Sequence, residues 1–217
     1  MSLPRFKKLD QARQRAILDA AASEFAERGF QGASYNRIIE AAGISKGAMY
    51  YYFADKDDLY RTVLEAALDM WLEHMGPLAG VTSAASYWRE CEAMYRRILL
   101  FFLDEPISAA LCWSVSLASE RGDAHPALGE LNQRFMAWTA ELVQLGRALG
   151  AVRDDLPVDL LVHVGFAMLE GMDRWLAAHW QEMSADGIDD TVGMMIGLIR
   201  RIAEPDVPAR TSEDNHD

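Results

Sequence analysis

Two groups of residues in this sequence have the types and spacing to do chemistry, and only one survives inspection. The tract Gly43-Ile44-Ser45-Lys46-Gly47 matches G-x-S-x-G, which in hydrolases sets a nucleophilic serine on a sharp strand-to-helix turn. Here a helical segment precedes the serine and Ser45 itself stands where a helix N-cap belongs, so the context for a nucleophile is missing. The histidines, His74, His125, His163, His179 and His216, are scattered. His163 and Glu170 fall two turns apart on one helix, a polar pair, a ligand contact or a surface feature. Cys91 and Cys112 form no CxxC or Cys/His cluster, so neither a metal site nor a disulfide framework is expected. No catalytic residue and no cofactor are assigned, and the chain is not read as an enzyme.

The second group could recognise phosphate and base edges. In "SKGAMYYYF", residues 45–53, Met49, Tyr52 and Phe53 share one helical face with the core-seeking Ile44, while Lys46, Gly47, Tyr50 and Tyr51 share the other. An outer face of one cation, small residues and two phenols suits close approach to DNA. Gly47 and Ala48 keep the helix start thin enough for a major groove about 12 Å wide. Tyr hydroxyls can donate to phosphate and Lys46 can reach a phosphate or a base. Backbone N–H groups at the helix starts near Ser34 and Ser45 add further phosphate sites.

Such a face needs helices to hold it, and the periodicity supplies them. Residues 10–28 place Ile17, Ala20, Ala21 and Phe25 at helical spacing before Gly29. Ser34 caps "YNRIIEAA", which ends at Gly43; Ser45 caps the next short helix; Asp55 and Asp58 start a longer one running to about Met75. Further helices are predicted over about 84–103, 106–120, 125–149, 157–182 and 188–203, with breaks at 121–123, 150–157 and 184–187. No alternating strand pattern is found, so the class is all-α, with an N-terminal three-helix helix-turn-helix joined to a larger helical domain. The expected divisions are 1–57, 58–204 and a disordered tail, 205–217.

Composition supports this division. The chain has 217 residues, 51% hydrophobic and 25% charged, and a net charge of −12, which excludes a wholly disordered chain. The charge is uneven: residues 1–56 hold all four lysines, with nine Lys+Arg against six Asp+Glu, leaving twelve against twenty-seven in the remainder. That asymmetry points to nucleic acid at the N-terminal part. The longest charge-free stretches, about fourteen residues, fall short of the ~18 needed to span a bilayer. With no signal-like start and two cysteines, a cytoplasmic protein without membrane contact is expected.

Residues 15–59, "RAILDAAASEFAERGFQGASYNRIIEAAGISKGAMYYYFADKDDL", resemble the DNA-binding domain of the TetR family of transcriptional regulators. The resemblance lies in Ile-Leu-x-Ala-Ala, Phe followed by Gly-Phe, Ala-Gly-Ile-Ser, Tyr-x-Tyr-Phe, then Lys and Leu. Carried over position by position, it implies that Ser34, Lys46, Gly47, Tyr50, Tyr51 and Lys56 lie at or near DNA. Ser45 and Ala48 join them from the face analysis. Asn36 and Arg37, early in the second helix, are candidates for phosphate contact or for a solvated or capping role. Arg5, Lys7 and Lys8 either track phosphates or belong to a disordered arm. Two departures from the family pattern stand out: Ile39 where a small Ala is usual, and Ala48 where Thr or Ser is frequent.

The resemblance further implies an effector-binding and dimerisation domain after residue 57. Five of the six tryptophans lie in residues 84–203, and large aromatics with adaptable Met often enclose apolar pockets. Trp88, Tyr95, Phe102, Trp113, Trp138, Phe166 and Glu170 are the candidate pocket residues. The last two helices are apolar over a wide face, and by resemblance pair with a second subunit's. Leu161, Val164, Met168, Met172, Trp175, Val192, Met195, Ile196 and Ile199 are the candidate interface. Gly193 and Gly197 suggest close helix packing. The expected function is that of a homodimeric, ligand-responsive regulator, a repressor that leaves a palindromic double-stranded DNA operator when a small apolar or amphipathic effector binds. The signal would pass along the helix from Lys56 to Met75. A regulator answering a protein partner or only dimerising, or a helical-bundle enzyme or lipophilic carrier, are the alternatives. Cys91 and Cys112 are read as ordinary buried thiols rather than redox sensors.

Overall fold

The computed structural model describes residues 5–118 and 125–206. Among them all regular structure is helical. Three helices form the head: α1 (Gln11–Gly32), α2 (Tyr35–Ala41) and α3 (Lys46–Tyr52). Six form the body: α4 (Lys56–Met75), α5 (Ala84–Asp104), α6 (Pro106–Ser116), α7 (Pro126–Ala148), α8 (Val158–His179) and α9 (Ile188–Ala203). The predicted breaks at 150–157 and 184–187 fall between helices, whereas the one at 121–123 lies outside the described residues, as does most of the predicted tail, residues 207–217.

The caps explain where the head helices start. Ser34 Oγ accepts from Arg37 N at 3.4 Å and Ser45 Oγ from Ala48 N at 3.1 Å. Asp55 and Asp58 cap reciprocally: Asp55 Oδ1 accepts from Asp58 N at 2.8 Å, and Asp58 Oδ2 from Ala54 N at 3.1 Å. Gly29 is a kink rather than a stop. It takes φ +63°, which L side chains avoid, and a last turn follows to Gly32. On α1, Ile17, Ala21 and Phe25 recur every four residues and are fully buried against Ile38, Met49, Phe53 and Leu59. Each such large side chain contributes about 1.5–3 kcal/mol through burial. Phe6, in a 3-10 turn (Phe6–Lys8), adds to this core, its ring 4.8 Å from Phe53. The basic N-terminal segment is therefore pinned to the head by an aromatic anchor.

Two helices join head to body. α4 begins beneath the head, where Leu59 and Tyr60 are buried, and ends in the body, where Leu68, Trp71 and Met75 are buried. α6 packs along α1, with Arg15 paired to Glu105. Pro106 at the first position of α6 supports the sharp turn from α5, bent by 116°. Trp71 Nε1 donates to Ser108 Oγ at 2.9 Å, tying α4 to α6. His125 caps α7, its Nδ1 accepting from Ala127 N at 3.1 Å. Its Nε2 lies 2.7 Å from Asp57 Oδ1 and its ring 4.2 Å from that of Phe30. Among the described residues no single helix is long and apolar enough to cross a membrane.

Candidate functional site

The head presents one coherent outer face. Met49 and Phe53 are buried and Tyr52 half-buried, which leaves Ser45, Lys46, Gly47, Tyr50 and Tyr51 exposed along α3, with Ala48 half-buried. Tyr50 and Tyr51 are 48% and 51% exposed, so two large phenols stand in solvent with no core to fill. Tyr35 steers Tyr50 through an edge contact at 5.3 Å, and the Arg5 guanidinium lies 4.4 Å from the Tyr51 ring centroid. Ser34, half-buried, and Asn36 and Arg37, exposed, sit at the start of α2.

Two of the predicted cations have internal work. Arg37 binds Glu24 through Nε at 2.9 Å and Nη2 at 2.6 Å. Glu24 also accepts from Ser34 N at 2.7 Å, and Arg37, with that amide, holds its carboxyl below the usual glutamate range despite burial. Glu24 thus fixes the start of α2 on α1. Lys56 Nζ donates to the carbonyls of Phe30 at 2.7 Å and Ala33 at 3.0 Å and lies 4.6 Å from the Phe30 ring centroid. Its ammonium satisfies the carbonyls that the kink at Gly29 frees. Sequence reasoning had no signal for either partnership, because both span a turn of unknown geometry.

The body encloses a cavity of about 260 Å³. Trp88, Tyr95 and Phe102 of α5, Trp138 of α7, and Phe166 and Glu170 of α8 line it, together with Leu68, Trp71 and Met75 of α4. Trp113 does not. It packs edge-on against Phe102 and Trp180, with ring centroids 6.3 and 4.9 Å away. The wall is mostly apolar; its polar side chains include Asn132 and Thr139 of α7 and a group built from Tyr95, Ser116, Glu170 and Asp173. Ser116 Oγ donates to Asp173 Oδ2 at 2.7 Å. Burial raises the Asp173 carboxyl to about 6; the Ser116 bond opposes this, the Glu170 charge adds to it, and Arg174 opposes it. The Tyr95 hydroxyl is buried with no hydrogen-bond partner among the described residues. Asp173 and Ser116 escaped the sequence reading, although Asp173 lies one helical turn from Glu170. His163 is exposed, its Nδ1 2.7 Å from Asp159 O, while Glu170 lines the cavity, so these two form no pair.

Most of the residues predicted for the subunit interface turn inward within the chain. Leu161, Met168, Ile196 and Ile199 line the cavity, and Met172, Val192 and Met195 are buried in the surrounding core. Only Val164 and Trp175 of that set are exposed. The apolar surface left open runs over Leu160, Val164 and Trp175 of α8 and Met194, Leu198 and Ile202 of α9. Both helices are apolar on two sides, and periodicity does not say which side turns inward. A Cβ at Gly193 or Gly197 would meet no atom within 4 Å among the described residues, so the expected close packing is not made with them. Burial pushes the Cys91 thiol up to about 12 and holds that of Cys112 well above its ordinary value, as inert thiols require. Among the described residues no group of His, Cys, Asp and Glu could hold a metal ion.

An exposed α3 face on a small three-helix head, carried by a helical body with an enclosed apolar cavity, is the architecture of a DNA-reading regulator. The family model of bacterial regulatory proteins, tetR family, matches residues 17–63. The HTH-type transcriptional repressor Rv1474c of Mycobacterium tuberculosis is 47% identical over 170 residues, covering 77% of this chain and 83% of that protein. The HTH-type transcriptional regulator RutR of Escherichia coli K12 is 35% identical over 134 residues, 58% of this chain; the match spans 62% of RutR's own length. FadR from Bacillus subtilis, solved in complex with stearoyl-CoA, superposes with a TM-score of 0.65 at 14% identity, covering 85% of this chain and 96% of that one. The chain belongs to the TetR family.

Proposed function

We propose that the protein is a homodimeric, DNA-binding transcriptional repressor that leaves a palindromic operator when a small apolar or amphipathic effector enters the body. The carrying observation is the enclosed cavity walled by α4 and α6, the same two helices that pack against the head. Relatives named as repressors support the sign of regulation, and a neighbour of the same fold solved with stearoyl-CoA supports a ligand in the body.

In this reading Ser45, Lys46, Gly47, Ala48, Tyr50 and Tyr51 enter the major groove, and Ser34, Asn36 and Arg37 face the phosphates beside it. Lys56 lends its charge nearby while its hydrogen bonds hold the α1–α2 corner. The open apolar strip on α8 and α9 pairs with its copy about a two-fold axis, spacing two heads by about one DNA turn, ~34–36 Å. Effector contacts to Ser116, at the end of α6, bear on the far end of the helix that touches α1. A ligand that favours one arrangement of α6 and α4 shifts the population of head spacings, by no more than its differential affinity for the two states.

The test is selection of binding sites from random duplex DNA by the full-length protein, followed by a ligand screen for release in gel shifts. Enrichment of a palindrome and its release by at least one ligand is the expected result. Absence of any enriched sequence would refute the reading.

A further inference from the structure

The cavity's charge is one-sided. Among the described residues lining it, the ionisable side chains of low pH are Glu170 and Asp173, and no Lys, Arg or His is present. Of the polar side chains lining it, Asn132 carries both a donor and an acceptor, while Asp173, Tyr95 and Thr139 offer lone pairs. Asp173 accepts one bond, from Ser116 Oγ at 2.7 Å, and when ionised has room for more. The Tyr95 hydroxyl is buried with no partner among the described residues; burial, and then the nearby Asp173 charge, raise its phenol. Thr139 spends its proton on the Phe135 carbonyl at 2.9 Å. Arg174, exposed on the next position of α8, is the cation whose charge reaches Asp173, and it lies outside the cavity lining. Aromatic rings, Trp71, Trp88, Trp138 and Phe166 among them, make much of the remaining wall.

This arrangement rests on the reading of the cavity as the effector site and narrows it. We infer that the cavity takes a hydrophobic cation, an ammonium-bearing amphiphile that donates to Asp173, Glu170 and the Tyr95 oxygen while its apolar body lies against the aromatic wall. An ammonium supplies the N–H donors that these acceptors lack, and its charge is favoured both by the carboxylates and by the ring faces. A carboxylate or phosphate would instead set a third negative charge beside these acids, with no basic residue among the described lining residues to meet it. The chemistry of this cavity therefore departs from that needed for an acyl-CoA, whatever the likeness in fold.

Three ligands of equal chain length test the inference: decylammonium, decanol and decanoate, titrated into the full-length protein at pH 7.5 and followed by tryptophan fluorescence. Decylammonium is expected to bind at least tenfold more tightly than decanol, and decanoate most weakly. Asp173→Asn combined with Glu170→Gln should lower decylammonium affinity at least tenfold and close its gap to decanol. Tyr95→Phe, which keeps the ring, should lower it about threefold and serves if the double variant does not fold. Decanoate binding as tightly as decylammonium, a preference that survives the substitutions, or no binding of any of the three would overturn the inference. Operator release is measured in parallel. Decylammonium bound without release would refute the regulatory reading and leave the cation site standing; decanoate preferred and releasing would do the reverse.

Discussion

Asp173→Asn should make the protein more stable, and the gain should depend on pH in one direction. Asp173 titrates at 3.8 when unperturbed and at about 6 in the fold, chiefly because burial disfavours its charged form. The folded state therefore holds the proton more tightly than the unfolded chain. Below pH 3.8 both states carry it and the residue costs nothing on this account. Stability falls as pH rises through 3.8 to 6, and above that window the full penalty applies. At roughly 1.4 kcal/mol per pH unit the interval amounts to about 3 kcal/mol. Asparagine removes the charge yet keeps an oxygen that accepts from Ser116. The variant should thus exceed the wild type by about 3 kcal/mol at pH 8 and by only about 1 kcal/mol at pH 4.5. For a chain of this size that corresponds to a rise of about 6–12 °C in Tm at pH 8. Urea or thermal unfolding of both proteins at the two pH values measures the difference directly. Equal stability at pH 8, or an advantage that does not change with pH, would refute the assignment of Asp173 as a buried, destabilised carboxylate. A residue that costs stability where asparagine would not is what a binding site retains for its ligand.

Other substitutions probe the head, the core and the thiols. Tyr50→Phe removes one exposed hydroxyl and should weaken operator binding about three- to tenfold in gel shifts, with unchanged melting; unaltered affinity would take Tyr50 off the reading face. Lys56→Ala strips the donors from the Phe30 and Ala33 carbonyls and should lower stability by about 1–3 kcal/mol, read from urea unfolding. Gly146→Ala would place a Cβ 2.5 Å from Val152 Cγ2 and 2.8 Å from Tyr87 Cζ. It should cost about 1–3 kcal/mol by overpacking, and an unchanged urea midpoint would contradict the close approach. Cys91, buried, and Cys112, half-buried, both with thiols raised by burial, should resist maleimide at pH 7.5 until the protein unfolds; rapid labelling of either would count against this reading.

Much of the fold was legible because it is local. Ser34, Ser45 and Asp55 mark helix starts by chemistry confined to four residues, and a helix turns every 3.6 residues whatever surrounds it. That regularity alone separates Met49 and Phe53, buried, from Lys46, Tyr50 and Tyr51, exposed. It also places six of the seven predicted aromatic and acidic side chains on faces that meet the cavity.

What the sequence by itself determined was thus the set of helices, their caps, the two-sided character of α3 and the segregation of basic residues toward the head. Tertiary structure alone decided which of two apolar sides of α8 and α9 turns inward, since both sides satisfy the same periodicity and only the neighbours choose between them. It likewise decided that Arg37 meets Glu24, that Lys56 meets two carbonyls at the corner after Gly29, and that Trp113 stands outside the cavity. Above all it brought Ser116 to Asp173 across 57 positions of chain. No local pattern encodes such a meeting, because the distance between two helices depends on how every side chain between them packs.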